Sequence, residues 1–362
     1  MRTGWAWVLL LGWSVAGLRA QGGAGAGPPA SIWPADGQYV GSKQCALCHA
    51  AQARTYRSSS MSRALESIES CEILKNNPRL TWTDGTYRYL IEKTGAGYRY
   101  TVTAGKESAE AMLRWAFGQG KAGQTYVYEK DGQYYESRVS YYQELKGLAL
   151  TVGAQNLQPS NIPEALGRLT TPGEARDCFG CHTTGARRAN ALNLQRYENG
   201  VQCEDCHGPG AAHIASIADG KPKPGTIRSL RGLNAEETND LCGSCHRTWE
   251  TIMLLKIHGT ANVRFQPYRL TNSKCFLSGD SRIACTACHD PHSAPATDPK
   301  AYDAKCAACH NPANTAIRKT QCKVAKEACV TCHMPRYEVP GSHHAFADHW
   351  IRVARAGDRY PD

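Results

Sequence analysis

The feature that most constrains this chain is a five-residue motif, Cys-x-x-Cys-His, which occurs seven times in 362 residues. Two cysteines spaced three apart lie on the same side of a helical turn, and the histidine follows directly. In an exported protein this spacing is typical of covalent haem attachment: the thiols bind the porphyrin and the histidine binds the iron. Zinc sites or disulfides are alternatives for a single copy, but seven copies favour haem.

We number the motifs 1 to 7 along the chain and predict that each holds one covalently bound haem c. The predicted thioether cysteines are Cys45, Cys48, Cys178, Cys181, Cys203, Cys206, Cys242, Cys245, Cys285, Cys288, Cys306, Cys309, Cys329 and Cys332. The predicted proximal iron ligands are His49, His182, His207, His246, His289, His310 and His333.

The histidines outside the motifs are candidates for the distal iron ligands: His213, His258, His292, His343, His344 and His349. His343 and His344 are adjacent, and we expect only one of them to bind iron. Six histidines cannot serve seven irons, so Met61, which follows motif 1, is the best further candidate. A methionine ligand would raise the reduction potential relative to histidine, whereas the alternative for Met61 is a packing role.

Three of the 17 cysteines lie outside the motifs: Cys71, Cys275 and Cys322. An odd number permits one disulfide and one free thiol. Because Cys275 and Cys322 flank the closely spaced motifs 5 and 6, we predict that these two pair and that Cys71 is the free thiol.

The N-terminus predicts export. Residues 1–20 contain Arg2 and a short apolar run and are typical of a secretory signal peptide, with cleavage after Ala20. An uncleaved signal acting as an anchor is the alternative, and residues 21–30 are typical of a flexible tail. We expect a periplasmic or extracellular protein without a stable membrane span after signal cleavage.

The basic net charge does not require a nucleic-acid partner. The formal charge is +10, and loss of Arg2 and Arg19 with the signal peptide leaves about +8. Seven ferric haems, each with two propionates, would lower this to roughly +1. Redox partner proteins are therefore the expected partners, and the oligomeric state is left open.

The spacing of the motifs predicts the fold class. Motifs 2 to 7 occupy 156 residues, Cys178 to His333, which is too little chain per haem for an ordinary side-chain core. We predict a multihaem cytochrome of mainly short α-helices and loops wrapped around stacked haems. Residues 21–77 would form an N-terminal segment with motif 1, and residues 151–362 a six-haem domain.

The wide gap between motifs 1 and 2 predicts an antiparallel β module over residues 78–150. Ten of the 17 tyrosines lie there, in β-branched and aromatic runs. Asp84-Gly85, Gly95-Ala96-Gly97 and Asp131-Gly132 predict hairpin turns. We favour a structural insert without haem contacts that shields haem edges over a substrate-binding or partner-docking module.

Several segments resemble multihaem cytochromes related to the nitrification tetrahaem cytochrome and hydroxylamine oxidoreductase. They are residues 39–44 before motif 1 with residues 54–65 after it, Cys203–Gly210 followed by His213, residues 288–292, and residues 332–335 with the later His343 to His349 cluster. The resemblance implies haems with two histidine ligands, in closely stacked pairs, with distal ligands donated by other motif segments. Met61 stands where that family commonly has histidine. The absence of Cys-x-x-Cys-Lys argues against the pentahaem nitrite reductase type.

Two functions remain open at this point. The first is an exported heptahaem cytochrome that transfers electrons along closely packed haems. The alternative is an oxidoreductase that acts on a small nitrogen or sulfur compound at one five-coordinate haem. The catalytic residues are unknown, because no site beyond the cofactor can be recognised in the sequence.

Overall fold

The computed structural model describes residues 37–188, 191–220, 223–280, 282–310, 322–355 and 357–362. The predicted signal peptide and the tail at residues 21–30 lie outside these ranges. Within the described residues, every helix is too short or too polar to cross a lipid bilayer.

The largest element in these ranges is a nine-stranded antiparallel sheet. Its strands are β1 (Leu65–Ser67), β2 (Arg79–Asp84), β3 (Tyr87–Thr94), β4 (Gly97–Ala104), β5 (Glu107–Phe117), β6 (Gln124–Lys130), β7 (Gln133–Tyr142), β8 (Gly147–Leu150) and β9 (Gly167–Leu169). Strands β2 to β8 pair in sequence order, β1 pairs with β5, and β9 pairs with β7. The sheet curls, so that β2 contacts β8.

The predicted hairpin turns are present in this sheet. Thr94 opposes Gly97 across the turn between β3 and β4, and Lys130 opposes Gln133 across the turn between β6 and β7. Asp131 has a φ of 52°, a left-handed conformation that Asp and Gly tolerate in tight two-residue turns. Local turn chemistry therefore sets the register of these hairpins.

Strand β5 lies inside the predicted β module, but its own sequence pattern does not predict a strand. Its sequence, ESAEAMLRWAF, is rich in residues that favour helix. It forms a strand because β4 and β6 flank it and β1 pairs with its end, so its backbone groups are satisfied by neighbouring strands. Strands β1 and β9 also lie outside residues 78–150, so the sheet is larger than the predicted insert.

Both faces of the sheet carry buried side chains. One face forms a core of its own that includes Tyr89, Ile91 and Tyr100. The other packs Trp115 against Phe179, which lies inside motif 2, with ring centroids 5.1 Å apart. The sheet is therefore continuous with the motif 2 region and is not an isolated insert.

In the described residues the α-helices are short, between four and twelve residues long. They are α1 (Ser42–Cys48), α2 (Ala50–Tyr56), α3 (Glu72–Asn76), α4 (Ile162–Leu166), α5 (Pro172–His182), α6 (Cys203–His207), α7 (Ala211–Ala218), α8 (Ala235–His246), α9 (Trp249–Leu255), α10 (Gln266–Thr271), α11 (Lys274–Leu277), α12 (Cys285–Cys288), α13 (Asp303–Ala307) and α14 (Val330–His333). The expectation of short helices and loops thus fits the described residues after the sheet, but the mainly helical description is matched only in part because the sheet is large.

Short strands and 3-10 turns connect these helices. The strands are β10 (Thr183–Thr184), β11 (Arg187–Arg188), β12 (Ala191–Leu192), β13 (Glu198–Asn199), β14 (Arg336–Glu338) and β15 (Ala345–Ala347), which pair antiparallel as β10–β13, β11–β12 and β14–β15. The 3-10 turns span Met61–Arg63, Ala154–Asn156, Gly259–Arg264 and Pro299–Tyr302.

Candidate haem-binding site

Each motif lies on or next to a short helix. Motifs 2 and 4 end the two longest, α5 and α8, and both begin with a capping box: Thr171 with Glu174, and Asn234 with Glu237. Such a cap satisfies amides at the helix start, which stabilises a short helix. The helical turn then places the two cysteines of each motif on one side.

The motif histidine closes one helical turn onto the first cysteine. In motif 1 the amide of His49 donates to the Cys45 carbonyl at 2.9 Å, and in motif 5 the amide of His289 donates to Cys285 at 3.0 Å. Motifs 6 and 7 make the same bond, at 2.9 Å and 3.1 Å. The thiols and the imidazole of a motif are therefore held together by local backbone structure.

Several histidine rings are oriented through Nδ1. His182 donates to the Ala64 carbonyl at 2.9 Å, His207 to Arg228 at 3.1 Å and His333 to Arg352 at 2.9 Å. A carbonyl oxygen only accepts, so Nδ1 must carry the proton. Nε2 is then free to bind iron, the second-shell arrangement usual for metal-ligating histidines.

Two pairs of histidine rings lie at the separation expected for two ligands of one iron. A metal–imidazole bond is about 2 Å long, so two rings on opposite sides of a metal have centroids roughly 6 Å apart. His207 and His292 have centroids 6.1 Å apart and planes 6° from parallel. His289 and His349 have centroids 6.2 Å apart and planes inclined by 38°. These residues fit a haem iron held between them.

Burial keeps the central histidines in the form that binds metal. Removal from water lowers the pKa values of His182, His246 and His289. It also lowers the pKa of His349 to about 4, although the bond from its Nδ1 to the Ala347 carbonyl, at 3.0 Å, opposes the shift. Neutral imidazole at pH 7 is the ligand that iron requires.

Cysteines of different motifs lie next to each other. Burial, together with the neighbouring thiol of Cys203, raises the pKa of Cys45 to about 12. The thiol of Cys245 lowers the pKa of Cys181 by donating a hydrogen bond to it. The haem-attachment sites of separate motifs are thus in contact.

The segment that carries Met61 packs against motif 3. The Met61 carbonyl accepts from the Val201 amide at 2.9 Å, two residues before Cys203. Gly200 has a φ of 75°, and a Cβ there would collide with the Ser62 carbonyl, so only glycine permits this close approach. Ligation of an iron by Met61 stays a prediction.

The other candidates for distal iron ligands lie in different surroundings. That they bind iron also stays a prediction. His213 is half-buried on α7, just after motif 3. His258 is 72% exposed, with Nδ1 3.7 Å from the Asp362 carboxylate. The His343 ring lies edge-on to Tyr142 with centroids 4.8 Å apart, and that of His344 lies against Phe346 at 4.8 Å.

The sheet contacts histidines of the site, and the expectation that it makes no haem contacts of its own stays a prediction. The Phe117 ring on β5 lies edge-on to the proximal His182, with centroids 5.2 Å apart. On β7, Tyr142 supports His343. The sheet therefore helps to position ligand candidates.

Cys275 and Cys322 are not joined in the structure, and their pairing stays a prediction. The third extra cysteine, Cys71, is buried in the sheet core, where its thiol donates to Gln124 Oε1 at 3.1 Å. Burial raises its pKa to about 11, so the thiol is protonated and unreactive at neutral pH.

Sequence reasoning missed the polar side chains that join one motif to the next. Asn239, three residues before motif 4, accepts from the amide of Cys285 in motif 5 at 3.0 Å. Asp303, three residues before motif 6, accepts from the amide of Cys329 in motif 7 at 2.9 Å. Both residues stand three positions before the first cysteine of a motif, and this spacing is the sequence signal that could have identified them.

The motif geometry and the paired histidine rings fit haem held through two thioethers, the attachment that characterises c-type cytochromes. A family model described as cytochrome c554 and c-prime matches residues 140–208, which include motifs 2 and 3. The multiheme cytochrome MtrA of Shewanella baltica (strain OS185) is 26% identical over 144 residues. That match covers 37% of this chain and 42% of MtrA. No solved structure shows a significant match.

The matches and the motifs together support a multihaem c-type cytochrome with covalently bound haem c as its cofactor. Electron transfer is the activity that this class suggests.

Proposed function

We propose that this protein is an exported heptahaem c-type cytochrome that transfers electrons along a chain of closely packed haems. The observation that carries the proposal is the contact between cysteines of different motifs. Because each cysteine pair anchors a porphyrin edge, motifs in contact would hold their haems close together. Haem bound at these residues would supply the iron that accepts and releases each electron.

The first part of the proposed chain of haems runs from motif 1 to motif 5. The thiol of Cys45 in motif 1 interacts with Cys203 in motif 3, and α1 contacts α6. Burial raises the pKa of Cys206 in motif 3, and the charge of Cys242 in motif 4 adds to this shift. Cys242 in turn hydrogen-bonds with Cys285 of motif 5, and α8 contacts α12. These neighbours support the order 1–3–4–5.

The proposed order of the motifs continues to motif 7, and motif 2 forms a side branch. Cys288 of motif 5 interacts with Cys306 of motif 6, which lies beside Cys329 of motif 7. Cys181 of motif 2 hydrogen-bonds with Cys245 of motif 4. The path that we propose is therefore 1–3–4–5–6–7, with motif 2 joining at motif 4.

Axial ligation favours electron transfer over catalysis. His207 with His292, and His289 with His349, would leave no open position on two of the irons. An iron with two strong protein ligands exchanges electrons but does not bind substrate. Closing the other five sites takes Met61 and all four remaining histidines, including both His343 and His344.

The N-terminus indicates where the protein works, and the sheet indicates how the chain is divided. We propose that residues 1–20 direct export and that the mature protein works in the periplasm or outside the cell with redox partner proteins. Residues 21–77 would form the segment with motif 1, residues 78–150 the β-rich insert, and residues 151–362 the six-haem part. The sheet would support and shield the motif 2 haem.

The test is an electron paramagnetic resonance spectrum of the oxidised protein with spin integration. The expected result is seven low-spin ferric haems and no high-spin signal. A high-spin haem that binds cyanide or nitric oxide would instead favour an oxidoreductase acting on a small nitrogen or sulfur compound.

A further inference from the structure

We propose that a buried ion pair, Arg269 with Asp348, positions His349 as the ligand opposite His289. The inference rests on the proposed function, in which His349 binds an iron. It assigns a positioning role to two residues outside the motifs, and it concerns how rigidly one distal ligand is held.

The pair is fully removed from solvent. Both side chains are 0% exposed, and they join through two parallel bonds: Arg269 Nε to Asp348 Oδ1 at 2.8 Å, and Nη2 to Oδ2 at 3.0 Å. A bidentate bond fixes the orientation of both groups as well as their distance. The backbone at position 348 is therefore anchored to α10.

The anchored residue precedes His349 directly, and further bonds hold the residues on either side. Asp348 Oδ1 accepts from the Trp350 amide at 3.0 Å. Ser273 Oγ donates to the His349 carbonyl at 3.1 Å and accepts from the Ile351 amide at 2.8 Å. The backbone around His349 is thus fixed from Asp348 to Ile351, and this fixes where the imidazole points.

Aromatic rings enclose the guanidinium. Arg269 Cζ lies 4.4 Å from the ring centroid of Tyr360, 5.0 Å from that of Trp350 and 5.8 Å from that of Tyr268. These contacts add cation–π attraction and exclude water. If Asp348 were neutralised, Arg269 would remain as an unpaired buried charge, and the surrounding backbone would have to move.

The Asp348 carboxylate is also linked, through Arg352, to a second predicted haem ligand, His333. Asp348 Oδ2 binds Arg352 Nη1 at 2.6 Å. The Arg352 carbonyl accepts from Nδ1 of His333, the proximal histidine of motif 7, at 2.9 Å. Asp348 therefore connects the positions of His349 and His333 through one residue.

The experiment measures the spin state of the haem-loaded protein after Asp348→Asn and Arg269→Lys, with His349→Ala as the reference. His349→Ala should convert about one haem from low to high spin. Each pair variant should convert part of that same haem and allow it to bind carbon monoxide when reduced. The matched control is Arg138→Lys, since Arg138 is also buried but bonds to Asp84 and the Ala154 carbonyl within the sheet region.

The result would differ if Arg269 and Asp348 stabilised the fold without positioning His349. If both pair variants keep the low-spin spectrum while His349→Ala becomes high spin, the positioning role is wrong. If His349→Ala itself leaves the spectrum unchanged, the ligand assignment in the proposed function fails instead. The double variant Arg269→Met, Asp348→Leu removes both fully buried charges. Only Arg352, whose side chain is 17% exposed, loses its carboxylate partner, so the variant should fold even where a single variant does not. It should still show the high-spin fraction, and a native spectrum would overturn the inference.

Discussion

Asn239 offers a quantitative test of how adjacent motifs are joined. Its side chain is 3% exposed, and Oδ1 accepts from the Cys285 amide at 3.0 Å and from the Cys285 thiol at 2.9 Å. We expect Asn239→Ala to loosen motif 5 locally, because the amide of Cys285 would lose its partner.

The size of the expected effect of Asn239→Ala depends on the hydrogen bonds to Cys285 that persist after haem attachment. A thioether sulfur has no proton, so only the backbone bond to Cys285 remains. Leaving a buried amide unsatisfied costs about 1–3 kcal/mol. At 1.36 kcal/mol per tenfold, the local opening equilibrium should rise by about 5- to 150-fold.

Hydrogen exchange of the haem-loaded protein measures that equilibrium at the segment around Cys285. Asn239→Asp keeps an acceptor oxygen and should exchange nearly as slowly as the unmodified protein. Asn262→Ala is the matched control, because Asn262 is also buried but donates to the Ile257 carbonyl. Unchanged exchange at Cys285 in Asn239→Ala would refute the reasoning.

Three further predictions concern the cofactors. The intact mass of the mature protein should exceed that of the apoprotein by seven haem units, and four or fewer would contradict the motif count. His292→Ala should turn one low-spin haem high spin, because His292 is the ring opposite His207; an unchanged spectrum would remove it from the ligands. If Met61 binds iron, Met61→His should abolish a ferric thioether charge-transfer band and lower one reduction potential. Absence of that band from the unmodified protein would leave Met61 as a packing residue.

The sheet separates what local sequence predicts from what it does not. The turn at Asp131-Gly132 was predictable because few residues adopt its backbone angles, and this sets the hairpin of β6 and β7. Strand β5 was not predictable, because its composition favours helix and only its neighbouring strands make it extended. The role of Phe117 beside His182 depends on that same pairing.

The motif alone predicts the attachment chemistry, because one helical turn brings two thiols and an imidazole within five residues together whatever the surroundings. Which histidines pair with each other depends instead on the fold. His292 lies 85 residues from His207, and His349 lies 60 residues from His289, so no local spacing specifies their separation. The same holds for the buried pair of Arg269 and Asp348, which exists because packing brings α10 against the C-terminal segment.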